Sequence, residues 1–350
     1  MLRKILSMVI LFATFIFIGC GSQVAINGET HVEAAQNDKG NLKISMLKVG
    51  HGDAILIQTG KQTILVDTTN VKKHDWLVEG LEKFSVTKID KLILTHPHGD
   101  HIGGAKMLID PSQEELTAYP YLKKISVAAV YDNGIVHTSK LYKNYLKAIK
   151  TKKITHKSLK AGDTLNFGNG VKFNVLSPTA EFVATVNDKK FDKKDRAYNV
   201  NNGSIVGRLT YKKFSMMFTG DCEKESEAKI VANNKPEDLK CDVLKSGHHG
   251  ISTSSTKNFV AAINPSHVLI SSAKQEKDNV AIGFPTLGVL KNYLAKGIDK
   301  KNIYCTRFNG TITITSDGKT FSVTPEIKED WVDKWLAIKK EEWKKKQQKK

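Results

Sequence analysis

His96-Pro97-His98-Gly99-Asp100-His101-Ile102-Gly103-Gly104 packs four potential metal ligands, His96, His98, Asp100 and His101, into six residues. Neutral imidazole and carboxylate suit Zn, Mn or Fe ions. His96 and His98 are two residues apart, so an extended backbone can aim both at one ion. Asp100 and His101 follow the turn at Gly99 and can face a second ion. Gly103 and Gly104 let the start of a helix come close to its neighbours. The chain has 11 histidines in 350 residues, and three of them beside an aspartate at this spacing are not a chance polar loop.

Upstream, Lys91-Leu92-Ile93-Leu94-Thr95 reads as a buried strand leading straight into the histidines. Before it, Lys43 to Val49, Ala54 to Gln58 and Thr63 to Val66 read as a meander with turns at Gly50, Gly52 and Gly60, and Trp76 to Phe84 as a helix. Downstream, the strands are Ser126 to Tyr131, Lys172 to Leu176, Ile205 to Tyr211, Ser215 to Phe218 and Asp242 to Lys245. The hairpin Thr311 to Val323 turns at Asp317-Gly318. Pro111 to Lys124 and Ala180 to Asn199 read as loops lining the cleft. Strand runs with helices between them give an α/β fold, an αββα sandwich of two mixed β-sheets flanked by helices.

Two strands deliver further ligands. Met216-Met217-Phe218-Thr219-Gly220-Asp221 ends in a carboxylate placed to bridge two cations. Asp242-Val243-Leu244-Lys245-Ser246-Gly247-His248-His249-Gly250 ends in paired histidines, which on a strand end point to opposite sides, so only one of them binds metal. Candidate ligands spread from residue 96 to residue 249 define one catalytic domain over residues 42–325.

The ends of the chain differ in composition. Arg3 and Lys4 precede an apolar run from Ile5 to Ile18, closed by Gly19-Cys20, too short for a comfortable membrane span. Residues 1–20 resemble a lipoprotein signal peptide with Cys20 as the lipidated residue. Residues 21–41 are polar and form a flexible linker. These features predict export to the extracellular face of a bacterial cell membrane, with the membrane reached through a lipid anchor. Residues 326–350 form a basic helix or tail in which Trp331, Trp335 and Ile338 share a face that can lie on a membrane surface or dock on the domain. Cys222, Cys241 and Cys305 are too sparse for a disulfide framework and read as buried thiols.

A formal net charge of +18 suits a protein that meets anions such as nucleic acid, teichoic acid or phospholipid headgroups. No protein partner is predicted. No Gly-x-Ser-x-Gly elbow is present, which excludes that route to a serine nucleophile.

Residues 42 to 324 resemble the metallo-β-lactamase superfamily. They are most similar to the hydrolase domain of bacterial competence DNA-uptake proteins and to choline-phosphate esterases that act on teichoic acid. The matching pieces are Val49-Gly50-His51-Gly52-Asp53-Ala54-Ile55-Leu56-Ile57, Val66-Asp67-Thr68, the His96–His101 segment, Asn201-Asn202-Gly203-Ser204-Ile205-Val206, Thr219-Gly220-Asp221 and Gly247-His248-His249-Gly250. The resemblance implies two divalent ions, Zn or Mn. His96 and His98 would bind one, Asp100, His101 and His249 the other, and Asp221 both. His248 would hydrogen-bond the substrate oxyanion. Asp67 would fix the tautomer of a ligand histidine, as Asp53 could, with His51 nearby. Where many relatives carry another ligand histidine this chain has Asn201 and Asn202, so an Asn oxygen or water would complete the His96/His98 ion, which is the more weakly held and more open of the two.

The expectation is a surface-anchored, dinuclear hydrolase that cleaves phosphodiesters with a metal-bridging hydroxide. Asp100 or a metal-bound water would protonate the leaving group. The alternatives are a lactonase or other carboxyl-ester hydrolase on the same fold, or a non-catalytic protein that binds DNA or polymer at the envelope.

Overall fold

Ile55-Leu56-Ile57 and Ile64-Leu65-Val66 carry apolar side chains on both faces of their strands, so each face needs its own cover. The computed structural model describes residues 42–192, 194–195, 199–273 and 283–348, and it supplies both covers. Ile55, Ile57, Ile64 and Val66 point into a core shared with Phe173, Leu209, Met216 and Phe218 of a second sheet. Leu56 and Leu65 point the other way, against Leu77, Leu81 and Ile149 of two helices, His74–Lys83 and Lys140–Lys152. The second sheet repeats the alternation. Met216 and Phe218 face inward, while Met217 faces an outer helical layer containing Phe259, Leu290 and Tyr293.

Among the described residues the first sheet has eight strands and the second seven. In the first, antiparallel pairing of Leu42–Met46, Ile55–Gln58 and Thr63–Val66 gives way to parallel pairing from Thr63–Val66 to Lys91–Ile93, Ala129–Asp132 and Thr155–Ser158. In the second, Val171–Ser177, Val206–Tyr211 and Phe214–Phe218 are antiparallel neighbours, whereas Val243–Lys245, His267–Ile270 and Ile303–Cys305 continue in parallel. Both sheets are therefore mixed, and helices cover each outer face, as in the expected αββα sandwich. The hairpin Ile312–Ser316 and Phe321–Pro325 joins the first sheet beside Leu42–Met46.

Both segments read from the sequence as loops contain a helix. Gln113–Ala118 is a helix closed by a capping box between Ser112 and Glu115, which satisfies amides left open at the first turn. In the other, Ala180–Asn187 is helical, capped by Thr179. The sequence showed no apolar periodicity long enough to reveal either.

The Trp331–Gln347 helix belongs to the same compact unit as the sandwich. Trp331 and Trp335 are buried in the outer layer of the second sheet. Their indole N–H groups donate to the carbonyls of Ile303 at 2.9 Å and Pro285 at 2.8 Å. Ile338 remains exposed. Of the two fates open to this helix, its tryptophans take the docked one. Among the described residues no helix is long and apolar enough to cross a membrane. The expected signal peptide with Cys20, and the expected linker, lie outside the described residues.

Candidate metal centre

Each ligand candidate follows the carboxyl end of a strand. Asp67 follows Thr63–Val66, His96 comes just after Lys91–Ile93, Asp221 after Phe214–Phe218, and His249 after Val243–Lys245. Both sheets thus present their strand ends at one rim. Gly103 lets the backbone of Thr69, Asn70 and Val71 pack against it there. A Cβ on Gly103 would run into the Thr69 carbonyl and the Val71 amide. The glycine therefore serves backbone packing beside the site.

Asp100, His101, Asp221 and His249 bring one donor atom each to within 4.8 Å of one another. Asp221 Oδ2 lies 3.2 Å from His101 Nε2 and 3.5 Å from His249 Nε2, and Asp100 Oδ2 lies 3.3 Å from His249 Nε2. His96 Nε2 is 3.8 Å from Asp221 Oδ2 and 3.0 Å from His98 Nδ1, so Asp221 stands between two groups of imidazoles. His101 Nε2, His249 Nε2 and Asp221 Oδ1 are buried and make no hydrogen bond. Buried polar atoms rarely lack partners, and a divalent cation would satisfy all three. The donor set, imidazole with carboxylate, fits such an ion.

The far nitrogens of the rings are fixed. Asp67 Oδ2 accepts from His101 Nδ1 at 2.7 Å, and Thr95 donates its amide and hydroxyl to the same carboxylate. His249 Nδ1 donates to the Ser271 carbonyl at 3.1 Å and has Asp53 Oδ1 at 3.6 Å. Each ring then offers Nε2 to the centre. His51 sits at the rim, its ring 4.3 Å from that of His249 and its Nε2 3.8 Å from Asp100 Oδ2.

Electrostatics follow from this crowding. Burial pulls the His101 and His249 imidazoles down, but Asp221 and the other carboxylates outweigh it, lifting His101 well above the usual range and His249 to about 10. Burial alone would raise Asp100 and Asp221. The charge of His101, joined by His249, holds both well below the carboxylate range. Burial and the neighbouring charge of His101 push His96 down, and burial lowers His98. Burial, with the charge of His249, lowers His51 to about 4.

Two expectations need correction. His248 and His249 do not sit on a strand end. They lie in a short turn, Gly247–Gly250, with φ of 44° and 55° in the left-handed region. That conformation costs an L-residue about 1 kcal/mol or more, and the surrounding bonds hold it. His249 enters the four-residue group, while His248 stands on its half-exposed side with Nε2 3.6 Å from Asp221 Oδ2. Asn202 is not a spare ligand either, because its Oδ1 accepts from the amides of Glu223 at 3.1 Å and Ser226 at 3.2 Å. Asn201 Nδ2 reaches Glu223 Oε1 at 3.4 Å, while its Oδ1 is buried without a partner.

Two residues were missed. Glu223 accepts from His248 Nδ1 at 3.0 Å, from Asn199 at 2.8 Å and from Thr253 at 3.1 Å. Burial would raise it, but the His248 and Asn199 bonds win and hold it at about 2. Lys245 is buried and pairs with Asp53 at 2.7 Å. The signal for Lys245 was a lone cation in an apolar strand, whereas nothing local marked Glu223.

Residues 47–180 match the family model described as the metallo-beta-lactamase superfamily. Residues 47–180 thus carry a metallo-beta-lactamase superfamily domain. The chain is 28% identical to ComE operon protein 3 of Bacillus subtilis over 253 residues, 67% of this chain and 29% of that protein. It is 29% identical to Recombination protein 2 of Haemophilus influenzae over 244 residues, 68% of this chain and 25% of that protein. The chain therefore spans less than a third of the length of either relative. Among solved structures, a diphosphatase from the PhnP family aligns with a TM-score of 0.35 and 14% identity, covering 66% of this chain and 85% of that one.

Proposed function

We propose that this metallo-β-lactamase domain is a metal-dependent hydrolase of phosphodiesters, of nucleic-acid or teichoic-acid type, displayed at the outer face of a bacterial membrane through Cys20. The observation that carries the reading is the meeting of Asp100, His101, Asp221 and His249 with three of their atoms buried and unbonded. These four would hold one ion; His96, His98 and a shared Asp221 would hold the other. Bound there, Zn or Mn would activate water at neutral pH and stabilise the charge that develops on phosphoryl oxygens.

The chain's own residues supply orientation. Asp67 and the Ser271 carbonyl keep His101 and His249 with Nε2 toward the centre. Glu223 fixes the His248 ring at the half-exposed side, where its Nε2 can meet a substrate oxygen. Burial would raise Asp100, but the charge of His101 and the bond to His249 keep it an anion, so in the resting site it is a ligand or a proton acceptor. The net charge of +18 favours an anionic polymer, and a relative named for recombination favours DNA.

The test is a substrate panel with Mn²⁺ or Zn²⁺: DNA, a glycerol-phosphate polymer, bis(p-nitrophenyl) phosphate and a lactone. The reading expects phosphodiester cleavage that Asp221→Ala abolishes. Hydrolysis of the lactone alone would move the function to carboxyl esters, and polymer binding unaffected by chelation would remove catalysis altogether.

A further inference from the structure

Lys245 ends a strand whose other residues, Val243 and Leu244, are apolar and buried, and its own side chain is 1% exposed. The ammonium lies 2.7 Å from Asp53 Oδ2 and donates to the carbonyls of Gly220 at 2.9 Å and Ser246 at 3.1 Å. A carboxylate with two carbonyls is also a donor set for a hard divalent cation. Next to it, Asp53, Asp67 and His101 form a second, fully buried group with donor atoms within 4.8 Å of one another. Asp53 Oδ1 is buried there without a hydrogen-bond partner.

This inner group shares His101 with the outer group of Asp100, Asp221 and His249. His101 Nδ1 faces inward, 2.7 Å from Asp67 Oδ2 and 3.9 Å from Asp53 Oδ2, while its Nε2 faces outward. A neutral imidazole has one lone pair. An ion on the inner side would claim Nδ1 and drive the ring proton to Nε2, where the outer ion needs its ligand. The two sides compete for one ring.

We propose that Lys245 is a resident cation whose ammonium fills the inner position beside Asp53 and so confines divalent ions to the outer side of His101. The inference rests on reading the outer group as a metal site. Lys245 touches no reacting atom and is a positioning residue. Replacing it by methionine keeps the apolar stem but takes the ammonium from buried Asp53, and a divalent ion can restore that charge.

The experiment compares metal content after gel filtration with Mn²⁺ for the wild type and the variants H249A, K245M/H249A and D53N/K245M/H249A. His249→Ala should lower the content relative to the wild type. K245M/H249A should regain an ion per chain, and adding Asp53→Asn should lose it again. Equal Mn²⁺ content in H249A and K245M/H249A would overturn the proposal alone. A wild type without bound metal would overturn it together with the metal reading. Should K245M/H249A be unstable, recovery of folded protein by Mn²⁺ but not by Na⁺ of equal ionic strength supports the proposal. Failure with both salts, while D53N/K245M/H249A folds, overturns it.

Discussion

Asp67 Oδ2 accepts the Nδ1–H of His101 at 2.7 Å, which turns Nε2 toward Asp221 and makes it the nitrogen that gives up its proton when the ring serves as a ligand. Asp67 itself is locked by two bonds from Thr95, just before His96. One carboxylate thus sets both the tautomer of a ligand and the path of the strand end that carries the next one.

Asp67→Asn should therefore weaken metal binding roughly 10–100-fold, the usual effect of losing an outer hydrogen-bond partner of a ligand histidine. Competition with a chromogenic chelator measures this directly. Wild-type affinity in the variant would contradict the assignment.

Metal binding should strengthen as pH rises. In the metal-free protein His249 holds its proton up to about 10, and an ion must displace that proton. Each displaced proton gives about a tenfold gain per pH unit below that value. The metal-free protein should behave oppositely in stability. A raised folded pKa contributes stability below the unfolded value near 6.5, and this is lost as pH climbs toward about 10. Thermal melts of the chelated protein between those pH values should fall steadily, and a flat profile would refute the assignment.

Asn202→Ala should cost about 1–3 kcal/mol by stripping the acceptor from the buried amides of Glu223 and Ser226. Its metal content should match the wild type. Loss of an ion without loss of stability would restore Asn202 as a ligand.

Trp335→Ala should cost about 3–5 kcal/mol, the range for emptying a buried aromatic site. The indole packs in the outer layer of the second sheet and donates to the Pro285 carbonyl. Denaturant unfolding checks this, and an unchanged midpoint would show that the helix is dispensable to the fold.

What the sequence made legible was local or periodic. His96, His98, Asp100 and His101 lie in one short stretch, and apolar runs such as Ile64 to Val66 announced strands covered on both faces. Asp221 and His249 were readable because each comes shortly after a buried strand, Phe214–Phe218 and Val243–Lys245, even though His249 itself lies in the turn beyond. The tie between Lys245 and Asp53 was hidden, since it joins the two sheets across most of the chain. Glu223 was hidden for a similar reason, with partners at Asn199, His248 and Thr253. The left-handed turn at His248 and His249 carried no glycine at either position to betray it. The C-terminal helix showed its tryptophan face, but the carbonyls of Ile303 and Pro285 that receive the indoles are contributed by distant segments.

The most direct measurement is the rate of bis(p-nitrophenyl) phosphate hydrolysis by purified protein loaded with Mn²⁺ or Zn²⁺, with chelated protein and Asp221→Ala beside it. The loaded wild type should turn over the substrate, and the other two should not. Equal rates in all three, or no turnover by protein shown to hold metal, would contradict it.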